Sequence, residues 1–185
     1  MTNPVLIRPA QLGDLPEVRS ICLKTCTDPH LLSRPKVLYL LYADYYLYEE
    51  IGHCFVAEVD GHIIGYILSS ESGKAFTRKM KEHYLPLLKS MDPHFYRLRK
   101  AYLVAMRFWP SYPAHLHIDI APGYQHQGIG TRLMENLIAR LRLDHVKGVA
   151  LSVSKSHPQA IAFYRANRFH ALYHWPDSLV LGRKL

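Results

Sequence analysis

The second half of the chain switches repeatedly between two hydrophobic periods with no linker between them, and this limits the fold more than any other feature. "AHLHIDIA" (Ala114–Ala121) alternates apolar and polar residues as a strand does. "GIGTRLMENLIARLRL" then sets Ile129, Leu133, Leu137 and Leu141 four apart, on one face of a helix. "GVALSVS" (Gly148–Ser154) reads as a strand, "PQAIAFYRANRF" as a helix, and "HALYHW" with "SLVLGRKL" as a closing strand pair. That order implies an α/β sheet with a right-handed crossover.

The first half fits the same plan. "PVLIRPA" is a short strand signal. "LGDLPEVRSICLKTC" is a helix in which Asp14 can cap the start and Pro16 suits the first turn. A second helical stretch covers 35–50. "HCFVAEV" and "HIIGYILSS" flank Asp60-Gly61, the dipeptide that type I′ hairpin turns favour. Residues 76–103 read as helical but irregular, with breaks at Pro86 and Asp92-Pro93. Their aromatics (Phe76, Tyr84, Phe95, Tyr96, Tyr102) fit core packing better than ligand contact. A chain of 185 residues with 49% apolar residues suits one domain with a full core.

Charge and cysteine content narrow the functions. Lys plus Arg outnumber Asp plus Glu by 23 to 15, a net +8 that attracts anions. The basic residues are dispersed, with no block of five or six, so a nucleic-acid arm is not indicated and a phosphate-bearing cofactor fits better. No apolar run reaches the ~18 residues that span a bilayer. The first residues lack a signal peptide's basic and apolar regions, so a cytoplasmic protein without a membrane partner is expected. Three cysteines make no disulfide framework, and Cys22 and Cys26 fit small buried residues. His115 and His117 offer two metal ligands on one strand without a clear third, so no metal is expected.

"APGYQHQGIGTRLME" (Ala121–Glu135) joins a strand to a helix that opens with Gly128 and Gly130. Glycine costs ~1 kcal/mol against alanine within a helix. The cost is explained if an anion sits on the helix N-terminus, where N–H groups lack partners and the dipole is positive. The dinucleotide fingerprint fails here for want of a third glycine, and the Walker pattern for want of Gly-Lys-Ser/Thr.

Gln125-His126-Gln127-Gly128-Ile129-Gly130 matches the Q/R-x-x-G-x-G/A motif of the GNAT N-acetyltransferase superfamily. Residues 160–169, "AIAFYRANRF", resemble that family's A-x-x-F-Y-x-x-x-G-F element. The likeness covers nearly the whole chain. "YPAHLHIDIAPGYQHQGIGTRLM", "GVALSVSKSHPQAIAFY" and "DPHLLSRPKVLYLLYADYYL" resemble, more narrowly, bacterial acetyltransferases related to the acetyltransferase-like domain of eukaryotic O-GlcNAc hydrolases. Nothing of the hydrolase itself is present.

The resemblance implies a single α/β GNAT domain over 1–185. Its sheet is mixed but mostly antiparallel, with about six or seven strands flanked by helices, and splayed central strands form a coenzyme A cleft. Acceptor-side elements fall at about 30–50 and 76–112, and the CoA-binding core at about 114–170. By the same resemblance acetyl-CoA is the donor and CoA the product. Gln125, His126, Gln127, Gly128, Ile129, Gly130 and Thr131 form the pyrophosphate cradle, with Gly128 and Gly130 at the tightest approach. The backbone of Ile118, Asp119 and Ile120 lies beside the pantetheine arm, the side chains of Ile118 and Ile120 packing in the core. Tyr164 corresponds to the tyrosine that protonates the departing thiolate; its alternative role is a buried structural phenol. Asp119 or His117, sharing a strand face, or ordered water, relieves the amine of its proton. Two positions depart from the pattern. His157 replaces an Asn that contacts pantetheine. Arg168 replaces a helix-ending glycine, where Asn167, which tolerates the left-handed conformation, could take over one residue earlier. The acceptor is a small-molecule or peptide amine, and a homodimer is a family-level expectation. The rival reading is a weak or inactive module that binds CoA or a peptide.

Overall fold

The structure is a computed structural model and describes residues 4–98 and 110–185. The remainder of the expected 76–112 element, Tyr102 included, lies outside the described residues. Seven strands form one sheet in the order β1-β2-β3-β4-β5-β7-β6. They are β1 (Leu6–Pro9), β2 (Phe55–Val59), β3 (His62–Ser70), β4 (Ala114–Ile120), β5 (Gly148–Ser154), β6 (His170–His174) and β7 (Ser178–Lys184). Every pairing is antiparallel except β4 with β5, which is parallel. The single parallel contact follows from the helical crossover between those strands.

The β2–β3 hairpin turns on Asp60 (φ 53°) and Gly61 (φ 79°), both left-handed as a type I′ turn demands. Helix α1 (Leu15–Thr25) buries Leu15, Val18, Ile21 and Cys22, which repeat at helical spacing. Asp14 does not cap it. Its carboxylate accepts the Gln11 amide and both Nη atoms of Arg8, whose Nε reaches Glu58 at 2.6 Å. A bidentate guanidinium on β1 outcompetes a single amide for that carboxylate.

α2 (Pro29–Leu32) follows, and then the tyrosine-rich stretch runs as α3 (Pro35–Tyr39), a π turn (Leu40–Asp44) and α4 (Tyr45–Glu49). A second π turn (Met80–Tyr84) lies between α5 (Gly73–Lys79) and α6 (Leu85–Met91). This turn explains why Pro86 does not break the helix. Leu85 already bonds back to Met80, and Pro86 sits in a first turn, where its missing N–H is harmless. The break at Asp92-Pro93 is present. Asp92 accepts the amides of His94 and Phe95 and starts a helical stretch over 93–98 (α7). The same carboxylate binds His30 at 2.8 Å and Arg34 at 2.7 Å, tying α2 to this corner.

Two cores lie on opposite faces of the sheet. One joins α1 through α6 to Val56, Tyr66 and Leu68, and there Tyr45 packs edge-on to Phe76. The other joins α8 (Ile129–Leu143) to Ile67, Val149, Leu151 and Leu181, and includes Tyr164 of α9 (Pro158–Ala166). Strand β3 is buried on both faces from Ile63 to Ser70, so it reads as a nearly unbroken apolar run. Among the described residues no helix is long and apolar enough to cross a membrane.

The end of α9 corrects one expectation. Asn167 stays right-handed (φ −88°), and Arg168 itself takes the left-handed conformation (φ 64°). Phe169 then bonds back to the Tyr164 carbonyl at 3.0 Å, as after the glycine of a helix C-terminus. Asn167 is committed elsewhere, because its side chain donates to the Phe163 carbonyl. A left-handed arginine costs ~1 kcal/mol that glycine would not. Arg168→Gly should therefore raise the melting temperature by about 2–4 °C. An unchanged or lower value would show that this backbone is unstrained.

Candidate active site

The site begins where β4 and β5 part. Each strand has seven residues, yet only Ala114↔Val149 and His115↔Ala150 are paired. On its far side β5 keeps a full ladder with β7, from Gly148↔Lys184 to Ser154↔Ser178. β4 likewise keeps β3, from Ser70↔His115 to Gly65↔Ile120. The two halves of the sheet are thus firm, and the opening between them exposes strand edge from Leu116 onward. An extended chain can add itself to such an edge through main-chain hydrogen bonds. Ile118 and Ile120 turn their side chains into the core beside α8, leaving their backbone for that use.

At the open end the chain passes into the glycine turn. Gly123 (φ 91°), His126 (φ 61°) and Gly128 (φ 76°) are left-handed, and the residues between them are not. Alternating handedness of this kind turns backbone N–H groups into an anion-binding hollow. Side chains brace the loop: Gln125 donates to the Ile120 carbonyl at 3.1 Å and Gln127 to the Gly123 carbonyl at 3.0 Å. Gly128 is the N-cap of α8, so Ile129, Gly130 and Thr131 supply first-turn N–H groups with no carbonyl a turn behind them.

The two glycines differ in use. A Cβ on Gly128 would meet nothing within 4 Å, so its left-handed backbone rather than crowding favours glycine there. A Cβ on Gly130 would lie 3.1 Å from the Phe163 ring. Gly130 is therefore bare for the packing of α8 on α9, a tight approach to a side chain rather than to the hollow.

His115, His117 and Asp119 share one face of β4, opposite Ile118 and Ile120. His115 is buried edge-on against Phe76, away from solvent. His117 and Asp119 are each partly exposed, with His117 Nε2 3.5 Å from Asp119 Oδ2. His117 Nδ1 lies 3.1 Å from the Tyr42 carbonyl oxygen. Tyr66 on β3, whose Cα is registered directly against Asp119, donates its hydroxyl to Asp119 Oδ2 at 2.5 Å. Burial and then the Asp119 charge push the Tyr66 hydroxyl well above its usual range. In the sequence Tyr66 is only the middle of the hairpin's "GYI", and no local pattern reveals that it faces Asp119.

Tyr164 is buried in the core on the other face of the sheet, packed edge-on against Phe163 and Phe169. Burial, and then the Asp119 charge, push its hydroxyl well above the usual phenol range, so it stays a protonated donor at neutral pH. His157 occupies the N-cap position of α9, and its Nε2 lies 3.4 Å from Thr27 Oγ1 in the α1–α2 loop. The histidine that departs from the family's Asn thus reaches across to the loop between α1 and α2.

His53, Glu71 and Asp144 also converge, His53 Nε2 lying 3.0 Å from Asp144 and 3.4 Å from Glu71. This group sits by the end of α8, at the opposite end of the sheet from the glycine turn. Arg140 binds the same Asp144 oxygen, so the group reads as an ion-pair network.

The chain matches the Acetyltransferase (GNAT) family over residues 17–169. It is similar to the crystal structure of SsHAT, with 27% identity, a TM-score of 0.85, and 97% of this chain and 98% of that one covered. A PaiA N-acetyltransferase from Thermoplasma acidophilum, in complex with coenzyme A, superposes with a TM-score of 0.65 at 14% identity, covering 98% and 99%. The ribosomal-protein-S18-alanine N-acetyltransferase from Escherichia coli does so with a TM-score of 0.60 at 18% identity, covering 98% and 94%. The parted β4 and β5, the left-handed glycine turn and the family match agree: the chain belongs to the GNAT acetyltransferase family and is an acyltransferase that uses acetyl-CoA.

Proposed function

We propose that the protein is an N-acetyltransferase that moves the acetyl group of acetyl-CoA directly to an amine of a small molecule or peptide. The observation that carries this reading is the parting of β4 from β5 beside the hollow at Gly128, which offers the two ends of coenzyme A separate places. The pyrophosphate sits on the backbone of Gln125–Thr131, helped by the positive end of α8. The pantetheine arm pairs with the edge of Ile118–Ile120. The net +8 charge steers the acidic cofactor. The stretches around Asp28–Leu47 and Tyr112–Met134 support the narrower kinship to bacterial acetyltransferases related to O-GlcNAc hydrolase domains. Three free cysteines suit a reducing cytoplasm.

The neutral amine attacks the thioester carbonyl, the C–N bond forms, and a tetrahedral intermediate collapses with loss of the C–S bond. His117 or Asp119 takes the nitrogen's proton, and Tyr164 donates a hydrogen bond to the leaving sulfur. Full proton transfer from a phenol so hard to ionise to a thiolate of ordinary pKa ~8.5 runs uphill, so the hydrogen bond carries the effect and solvent supplies the proton. A cysteine-linked acyl intermediate is disfavoured. Burial pushes the Cys22 and Cys54 thiols up to about 12 and raises Cys26, which keeps all three un-ionised at neutral pH.

Calorimetry with acetyl-CoA should show micromolar binding, and a screen of primary amines should release CoA. Binding without turnover on any amine would favour the inactive CoA-binding module instead. Gly128→Ala should weaken CoA binding by about tenfold, through strain in the left-handed turn that shapes the hollow. Gly130→Ala should chiefly lower stability, by forcing Phe163 aside; equal loss of affinity in both would undo this division. Tyr164→Phe should lower kcat by about tenfold with little change in CoA affinity. Because the hydroxyl ionises above pH 10, the loss should be even from pH 6 to 9. A loss confined to the alkaline side would contradict the role.

A further inference from the structure

The hydrogen bonds around His117 and Asp119 divide their labour. We infer that His117 Nε2 accepts the proton of the incoming amine, with Asp119 as its electrostatic partner and Tyr66 as the positioning residue that anchors Asp119. This rests on the acetyl-transfer reading above and assigns the base within it.

The argument starts at the other ring nitrogen. A carbonyl oxygen only accepts, so the 3.1 Å contact from Nδ1 to the Tyr42 carbonyl requires the proton on Nδ1. A neutral His117 then carries its lone pair on Nε2. That atom faces Asp119 Oδ2 at 3.5 Å, longer than a good hydrogen bond, as expected of two acceptors with no proton between them. A proton arriving on Nε2 makes an imidazolium beside a carboxylate, so the pair is poised to take up one proton there. His117 keeps 26% of its side chain exposed, enough to meet a substrate.

Asp119 is less suited to be the acceptor itself. Its Oδ2 already receives the Tyr66 hydroxyl at 2.5 Å, and such donation lowers an oxygen's basicity. Tyr66 has one proton to give. Its oxygen is 3.4 Å from His117 Nδ1 but 2.5 Å from the carboxylate, so the proton goes to Asp119. The residue is wholly buried, and burial also holds the neighbouring Cys22 thiol of α1 un-ionised. The surrounding groups do not compete. Burial raises the ionisation pKa of Tyr66 on β3, of Cys22 and Cys26 on and after α1, and of Tyr164 on α9, so these stay uncharged at neutral pH; the Tyr42 ring packs on the His117 ring. The Arg19–Asp44 ion pair is engaged with itself. Among the described residues, Asp119 is the one carboxylate within ion-pair distance of His117.

The step balances simply. The amine nitrogen forms the C–N bond, its proton passes to Nε2, the C–S electrons leave with sulfur, and solvent returns the enzyme to its starting state.

The test uses histidine-¹⁵N-labelled protein with CoA bound, the His117 signals being identified by their loss in His117→Gln. The neutral ring should carry its proton on Nδ1. Asp119→Asn should lower the His117 titration midpoint by about one pH unit, because the imidazolium loses its carboxylate. Tyr66→Phe should raise it, because Asp119 regains charge that Tyr66 had taken up. A neutral ring protonated on Nε2, or midpoints that do not move, would overturn the assignment. In turnover with acetyl-CoA and a reactive primary amine, His117→Gln should cost about 100-fold in kcat and erase the acid limb of the pH profile. Asp119→Asn should keep that limb at lower pH, and Tyr66→Phe should shift it upward with the KM for acetyl-CoA unchanged. If Asp119→Asn erases the limb and His117→Gln keeps it, the roles are reversed and the inference is wrong. Absence of both CoA binding and turnover would instead sink the acetyl-transfer reading, and the ring tautomer could still be read separately.

Discussion

The rest of the molecule depends on the brevity of one strand pairing. β4 and β5 are held together at only two residue pairs, and each is then retained by its outer neighbour. Unpaired backbone in a protein interior costs free energy comparable to a lost hydrogen bond for each group, so a sheet does not open at its centre without an occupant or water to satisfy it. The rigid ladders on either side keep the opening from collapsing. The two separate cores serve the same end, because each stabilises one face without needing the central seam to close.

From that opening the chemical parts take their places by chain geometry alone. The strand that loses its partner continues directly into the left-handed glycine turn, so in the proposed binding mode the two ends of coenzyme A are addressed by consecutive residues. The alternate face of the same strand carries His117 and Asp119 toward the tyrosine-rich helices. Tyr164 comes from the far side of the sheet, from α9, and still feels the Asp119 charge. His117 and Asp119 on one side and Tyr164 on the other thus come to the seam from opposite cores.

Much of this was legible in the sequence because it rests on local rules. Asp60-Gly61 names its own turn. Ile129, Leu133, Leu137 and Leu141 name a helix face, and Gln125-x-x-Gly128 with Phe163-Tyr164 points to the family. Other features depend on contacts between distant residues, which no window of sequence contains. Gly130 looks like a partner of Gly128 until Phe163, 33 positions later, is placed against it. Asp14 looks like a cap until Arg8 of a neighbouring strand takes it. Asn167 was the better candidate for a left-handed residue by propensity, but its amide is held by Phe163 and the strain falls on Arg168. Tyr66 is the clearest case, since its meaning comes wholly from strand register.

The π turn at Leu40–Asp44 connects helix winding with acid–base chemistry. Such a turn holds one residue more than an α turn, and Tyr42, whose carbonyl meets His117, lies at its middle. In the tautomer inferred above, the proton on the His117 Nδ1 is held by a carbonyl in the middle of that one-residue excess, on another element. A single extra residue in a helix turn thereby joins helix winding to the protonation of a ring across the site.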